Sequence, residues 1–194
     1  MRPLNVPVLI APALTIPVML TLGRIALIPV FVAACSLPFD WANVLAAGLF
    51  ALAAVTDWLD GYLARRWRQT SEFGAFLDPV ADKLMVVAAL IVLLEQHASV
   101  WLALPVLLIV SREIGMSAAR EWMARVGRCA AIQVAWLGKV KTTTQMAAIA
   151  LLLIREPLFG LPVWEPAMGL LYVAALLTLW SMWRYLHAAW RAPQ

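Results

Sequence analysis

One pattern repeats from end to end of this chain. Runs of apolar residues, each close to the roughly 20 needed to cross a bilayer as a helix, are separated by short polar connections. Six runs stand out, at about 18–37, 42–64, 78–96, 100–119, 143–161 and 166–187. No long soluble linker, low-complexity tract or internal repeat interrupts them. The expectation is an all-α membrane protein with six transmembrane helices, forming one membrane domain over residues 1–194. Composition agrees: 64% of the residues are apolar and 13% charged, where a soluble domain has about 45–50% and about 25%.

The net charge is +4. Nucleic acid is one partner for a basic chain, but here the cations sit at the ends of apolar runs, which fits a membrane surface better. Arg2, Arg65, Arg66, Arg68, Lys83, Arg112, Arg120, Arg125, Arg128, Lys139, Lys141, Arg184 and Arg191 fall at one set of ends, with Arg24 near the same side. The opposite connections hold Asp40, Glu95, His97, Arg155, Glu156 and Glu165. The positive-inside rule then places both termini in the cytoplasm. The expected location is the inner (cytoplasmic) membrane, crossed several times. Pro38, Pro157, Pro162 and Pro166 mark turns on the far side. The first 15 or so residues read as a retained interfacial segment. Trp41, Trp101, Trp164, Trp183 and Trp190 lie near run ends, as in an aromatic belt. Cys35 and Cys129 fall in different compartments and are expected as free thiols.

Against this apolar background, the stretch "DWLDGYLARRWRQTSEFGAFLDPVADK" (residues 57–83) is unusually polar. Asp57, Asp60, Gly61, Ala64 and Arg65 are spaced to share one face of a helix. Gly74, Asp78 and Asp82 share a face of the next, and Pro79 fits if that helix has just begun. A short turn between the helices makes them antiparallel neighbours whose acidic faces can meet. Four carboxylates in an apolar bundle cannot all stay ionised alone. Mg²⁺ or Mn²⁺ resolves this, since the donors are hard oxygens and no Cys or His is near. Metals held this way commonly bind phosphate. Gly61 and Ala64 leave a bare helix face for a flat ligand, and Arg65 can add a phosphate contact. An ion-pair network joining two helices is the plainer alternative, but it does not require the full spacing.

The stretch reads D-x2-D-G-x2-A-R-x8-G-x3-D-x3-D, and it resembles the long, specific signature of the CDP-alcohol phosphatidyltransferase family. The resemblance implies a six-helix membrane fold, usually dimeric. It also implies a site for two Mg²⁺ or Mn²⁺ ions and a CDP-linked lipid donor. By position, Asp57, Asp60, Asp78 and Asp82 resemble the family's metal ligands, with Asp82 also the general base. Asp57, Gly61, Arg65, Thr70, Ser71, Gly74 and Asp78 resemble its CDP pocket.

The signature does not choose the acceptor. A second basic cluster, in "SREIGMSAAREWMARVG" from Ser111 and "GKVKTTTQM" from Gly138, bears on that choice. Arg112, Arg120, Lys139 and Lys141 converging beside the metals would suit an acceptor carrying its own phosphate. Arg125 and Arg128 read more simply as flanking charges. These blocks, with "TIPVMLTLGRIALIPVF" at 15–31, resemble the branch of the family that makes phosphatidylglycerophosphate from CDP-diacylglycerol and glycerol 3-phosphate. One departure is Thr15, in a position where the family usually has Asn; Asn5-Val6-Pro7 is a second match to that segment. Sibling reactions would use inositol phosphate or phosphatidylglycerol instead. A divalent-cation or proton transporter would need polar groups through the depth of the bilayer. A polyisoprenoid transferase would space its aspartates differently.

Overall fold

A computed structural model describes residues 15–39, 41–67, 72–125, 135–155 and 162–191. These residues form six α-helices: α1 (Ile16–Cys35), α2 (Ala42–Trp67), α3 (Glu72–Gln96), α4 (Val100–Arg125), α5 (Ala135–Ile154) and α6 (Trp164–Arg191). Helix α1 packs on α2 and α3, α5 on α2, α3 and α6, and α4 on α3 and α6. The core is apolar, with Phe31, Phe50, Leu90, Leu93, Leu102, Ile109, Ile149, Leu152 and Leu171 fully buried. Small residues at the contacts, among them Ala46, Ala53, Ala89, Ala148, Ala167 and Ala175, let the helices approach closely. The outward faces are apolar as well, through residues such as Val44, Val55, Ile91, Leu107, Leu176 and Trp180. Helices that are greasy inside and out are those of a protein dissolved in lipid.

Three helices contain stretches long and apolar enough to cross a membrane: Val18–Cys35, Val100–Met123 and Trp164–Tyr185. Helices α2 and α5 carry the shorter apolar stretches Ala42–Asp57 and Val140–Ile154.

Several boundaries differ from the sequence reading, most of all in α3, α4 and α5. The fifth helix covers Ala135–Ile154, not 143–161. Lys139 and Lys141, read as opening that run, lie inside the helix, and its end is set by Arg155 at φ 61, in the left-handed region. Pro79 is inside α3, not in its first turn, because the helix starts at Glu72. Its missing N–H leaves a carbonyl one turn earlier without its helical partner. The N-terminal segment and Cys129 lie outside the described residues, and Cys35 is a free thiol.

The bundle has two distinct ends. At one, Gln96 donates through Nε2 to the Cys35 carbonyl at 2.9 Å and accepts from Arg155, tying the C-terminal ends of α1, α3 and α5 together. Asp57, Asp78, Asp82 and Glu113 gather at the other, with the buried Arg24, Arg112 and Lys141.

Candidate active site

At that polar end, α1 contributes Thr21 and Arg24, three residues apart and so on one face. Arg24 is 3% exposed. Its Nη1 donates to Asp57 Oδ1 on α2 at 2.7 Å and to Asp82 Oδ1 on α3 at 2.9 Å. Thr21 donates to Asp78 Oδ1 at 2.5 Å, one turn before Asp82. Acids distant in sequence are thus gathered at the first half of α1, with a guanidinium between two of them. Of the residues on the two predicted faces, Asp57 of α2 and Asp82 of α3 meet at Arg24.

A cation set between two carboxylates is the arrangement that a divalent ion would also satisfy. The donors are all hard oxygens, which suits Mg²⁺ or Mn²⁺, so the residues fit such an ion in kind. Among the described residues, no three acidic, His or Cys side chains are gathered tightly enough to hold one. Asp60, one turn from Asp57 on α2, has its side chain outside that set.

A cavity of about 280 Å³ opens between α3, α4 and α5 beside these acids. Its wall includes Asp82, Lys83, Arg112, Glu113, Lys141 and Gln145. Arg112 donates from Nη1 to Glu113 Oε1 at 2.8 Å and from Nη2 to Ser181 Oγ on α6 at 3.0 Å. Lys141 Nζ donates to the same Glu113 oxygen at 2.7 Å. Lys83 donates to Ser117 Oγ. Arg112 and Lys141 are both buried. Buried cations facing an open cavity can take an anion from it without losing the fold's internal order. Asp82 belongs to both parts of the site: it accepts from Arg24 on one side and lines the cavity on the other.

Of the residues singled out in the sequence, the structure brings together Asp57, Asp78 and Asp82, with Arg112 and Lys141 across the cavity. Gly74 is buried in the first turn of α3. Asp60, Gly61 and Arg65 fall within α2, Arg120 within α4 and Lys139 within α5, with side chains outside the described set; Thr70 and Ser71 lie outside the described residues. Four participants were not foreseen. Thr21 and Arg24 are polar positions in a segment that reads as a plain span, where an ionisable residue is itself a pointer to function. Glu113 sits between two cations in "SREIG" but carries no motif, and Gln145 was passed over within "GKVKTTTQM".

A lipid-dissolved helical bundle with acids at one end, facing a cation-lined cavity, suits phosphate chemistry at a membrane surface. Residues 14–180 match the family model described as CDP-alcohol phosphatidyltransferase, and the chain belongs to that family. Among curated proteins, it is 55% identical over 174 residues to a protein of Pectobacterium atrosepticum, covering 90% of this chain and 94% of the relative. It is 53% identical to one from Sodalis glossinidius, over 91% of this chain and 95% of the relative. A third, from Yersinia enterocolitica, is 52% identical over 92% and 96%. All three relatives carry the name CDP-diacylglycerol–glycerol-3-phosphate 3-phosphatidyltransferase.

Proposed function

We propose that this enzyme transfers the phosphatidyl group of CDP-diacylglycerol to sn-glycerol 3-phosphate, giving phosphatidylglycerophosphate and CMP, a step of phospholipid biosynthesis. The observation that carries the reading is the shared position of Asp82, between the carboxylate group and the cation-lined cavity. It is reinforced by relatives of that name at 52–55% identity over nearly the whole chain.

The division of labour follows from the two sides of Asp82. Arg112 and Lys141, with Arg120 and Lys139 on the same helices, hold the acceptor's phosphate. Its primary hydroxyl then faces the Asp82 carboxylate, which takes the proton as the hydroxyl oxygen attacks the lipid-side phosphorus. The phosphorus–oxygen bond to CMP breaks, and the electron pair leaves with CMP. On the other side, Asp57, Gly61, Arg65, Thr70, Ser71, Gly74 and Asp78 hold the CDP moiety. Asp57, Asp60, Asp78 and Asp82 would hold two Mg²⁺ or Mn²⁺ ions, which when bound neutralise charge on the pyrophosphate oxygens. All six helices cross the inner membrane with both termini and the site on the cytoplasmic side, and the enzyme is a homodimer.

The test is CMP release from CDP-diacylglycerol by the purified enzyme with separate acceptors. Glycerol 3-phosphate should support turnover, and inositol phosphate and phosphatidylglycerol should not. Turnover with either of those instead would transfer the chain to a sibling reaction.

A further inference from the structure

Lys83 is a cation on the wall of the α3–α4–α5 cavity to which the reaction gives no task. It is half-buried on α3, one residue after Asp82, and its ammonium donates to Ser117 Oγ on α4. The other charges on that wall are already matched. Arg112 and Lys141 meet Glu113 at 2.8 and 2.7 Å, and Asp82 meets Arg24 at 2.9 Å. Among the described residues, no carboxylate lies within ion-pair distance of Lys83. Its anchor is a neutral hydroxyl, which fixes the ammonium without cancelling its charge. An ammonium has three N–H donors, and Ser117 takes one.

Position says what those donors meet. Glu113 and Ser117 are four residues apart on α4, so they share a face about 5–6 Å apart. The ammonium at Ser117 thus stands about one helical turn along α4 from the point where Arg112 and Lys141 converge on Glu113. One phosphate group can take charge-assisted hydrogen bonds from both sides of such a gap. An anion arriving there gains Lys83 without breaking an ion pair, whereas Arg112 and Lys141 must be shared with Glu113. Resting on the acceptor reading above, we infer that Lys83 is a third phosphate-binding residue of the cavity: its ammonium donates to the phosphate of glycerol 3-phosphate beside Arg112 and Lys141, while the adjacent Asp82 takes the hydroxyl proton.

Lys83→Met keeps most of the side chain's length and removes its charge. It should raise KM for glycerol 3-phosphate by roughly 10- to 100-fold, the worth of a charged hydrogen bond, and leave kcat and KM for CDP-diacylglycerol near wild type. Ser117→Asp keeps the lysine but gives it a resident anion, and KM for glycerol 3-phosphate should rise in the same selective way. Ser117→Ala leaves the charge unmatched and should stay within a few-fold of wild type. A fall in kcat with both KM values unchanged in Lys83→Met would put the ammonium on the transferring phosphorus and overturn the assignment. Parallel rises in both KM values would make Lys83 a packing element and overturn it too. Chemical protection tests the same contact in the wild-type enzyme. Cyanate carbamylates accessible amines, and glycerol 3-phosphate should slow the modification of Lys83, followed by peptide mass spectrometry. An unchanged rate would overturn the inference even if no variant folded. A wild-type enzyme that releases CMP with another acceptor and not with glycerol 3-phosphate would instead overturn the acceptor reading itself, and this inference with it.

Discussion

Arg24 sets the charge balance of the acidic group. Its single Nη1 reaches Asp57 at 2.7 Å and Asp82 at 2.9 Å from a side chain that is 1% exposed, while both carboxylates keep more than a third of their surface. The arginine is therefore the buried partner, and the acids are the half that an incoming cation can reach. Removing it leaves the carboxylates repelling each other until a divalent ion arrives. Arg24→Ala should lower the thermal midpoint in chelator, and Mg²⁺ should then raise that midpoint more than it does in the wild type. An equal Mg²⁺ response in both proteins would mean that the guanidinium and the metal do not act on the same oxygens. Asp82 is the second test at this scale. Asp82→Asn should cut turnover by roughly 10²–10⁴-fold, the usual worth of a general base, with CDP-diacylglycerol affinity nearly unchanged. Parallel loss of binding and turnover in one purified preparation would make Asp82 chiefly a ligand. The acids were legible in the sequence because spacing alone puts them on two helix faces. Arg24 was not, because an arginine in an apolar run looks the same whether it snorkels to the interface or pairs inward. Only the contact with residues 33 and 58 positions away decides it.

Among the elements, the helices with clear apolar limits were legible and the fifth was not. Lys139 and Lys141 resemble flanking charges of the kind that end a span, yet Lys141 is buried and bonded to Glu113 inside α5. The partner that makes its burial tolerable comes from α4, which no local pattern in α5 reveals. The opposite end of α5 was missed because Arg155 takes a left-handed conformation usually left to Gly or Asn. The connection between α3 and α4 carries a prediction of its own. His97 follows α3, its ring centroid 4.3 Å from that of Trp164 on α6. Burial, and then the nearby Arg155 charge, hold its pKa below the ordinary value of 6.5. A lowered histidine pKa means that the unfolded chain takes up the proton first. The stability tied to neutral His97 is complete above about pH 6.5 and is lost as the pH falls below it. The thermal midpoint should thus drop between pH 7 and 5.5, and His97→Gln should flatten that part of the profile. A profile unchanged by the substitution would place the sensitive group elsewhere.

At the scale of the whole molecule, the bundle presents Asp82 to two neighbouring spaces at once. One is bounded by α1, α2 and α3, where Arg24 and Thr21 hold the acids. The other is the cavity between α3, α4 and α5, lined by Arg112 and Lys141. On the function proposed above the two substrates lie on opposite sides of this carboxylate and meet directly, so the protein itself need not carry the phosphatidyl group between them. The described wall of the cavity offers Thr142 and the carboxylates Asp82 and Glu113, so the direct route is a matter for kinetics to test. On that route initial rates should give intersecting double-reciprocal lines, the pattern of a ternary complex, and no CMP should be released before the acceptor binds. The same geometry separates the two affinities. Lys141→Ala should raise KM for glycerol 3-phosphate by at least about tenfold, since a truncated charged partner costs roughly 1.5–3 kcal/mol, and leave KM for CDP-diacylglycerol close to wild type. Isotope exchange is the sharper measurement. If labelled CMP entered CDP-diacylglycerol in the strict absence of acceptor, a phosphatidyl-enzyme would exist, and the direct transfer with Asp82 as base would fall.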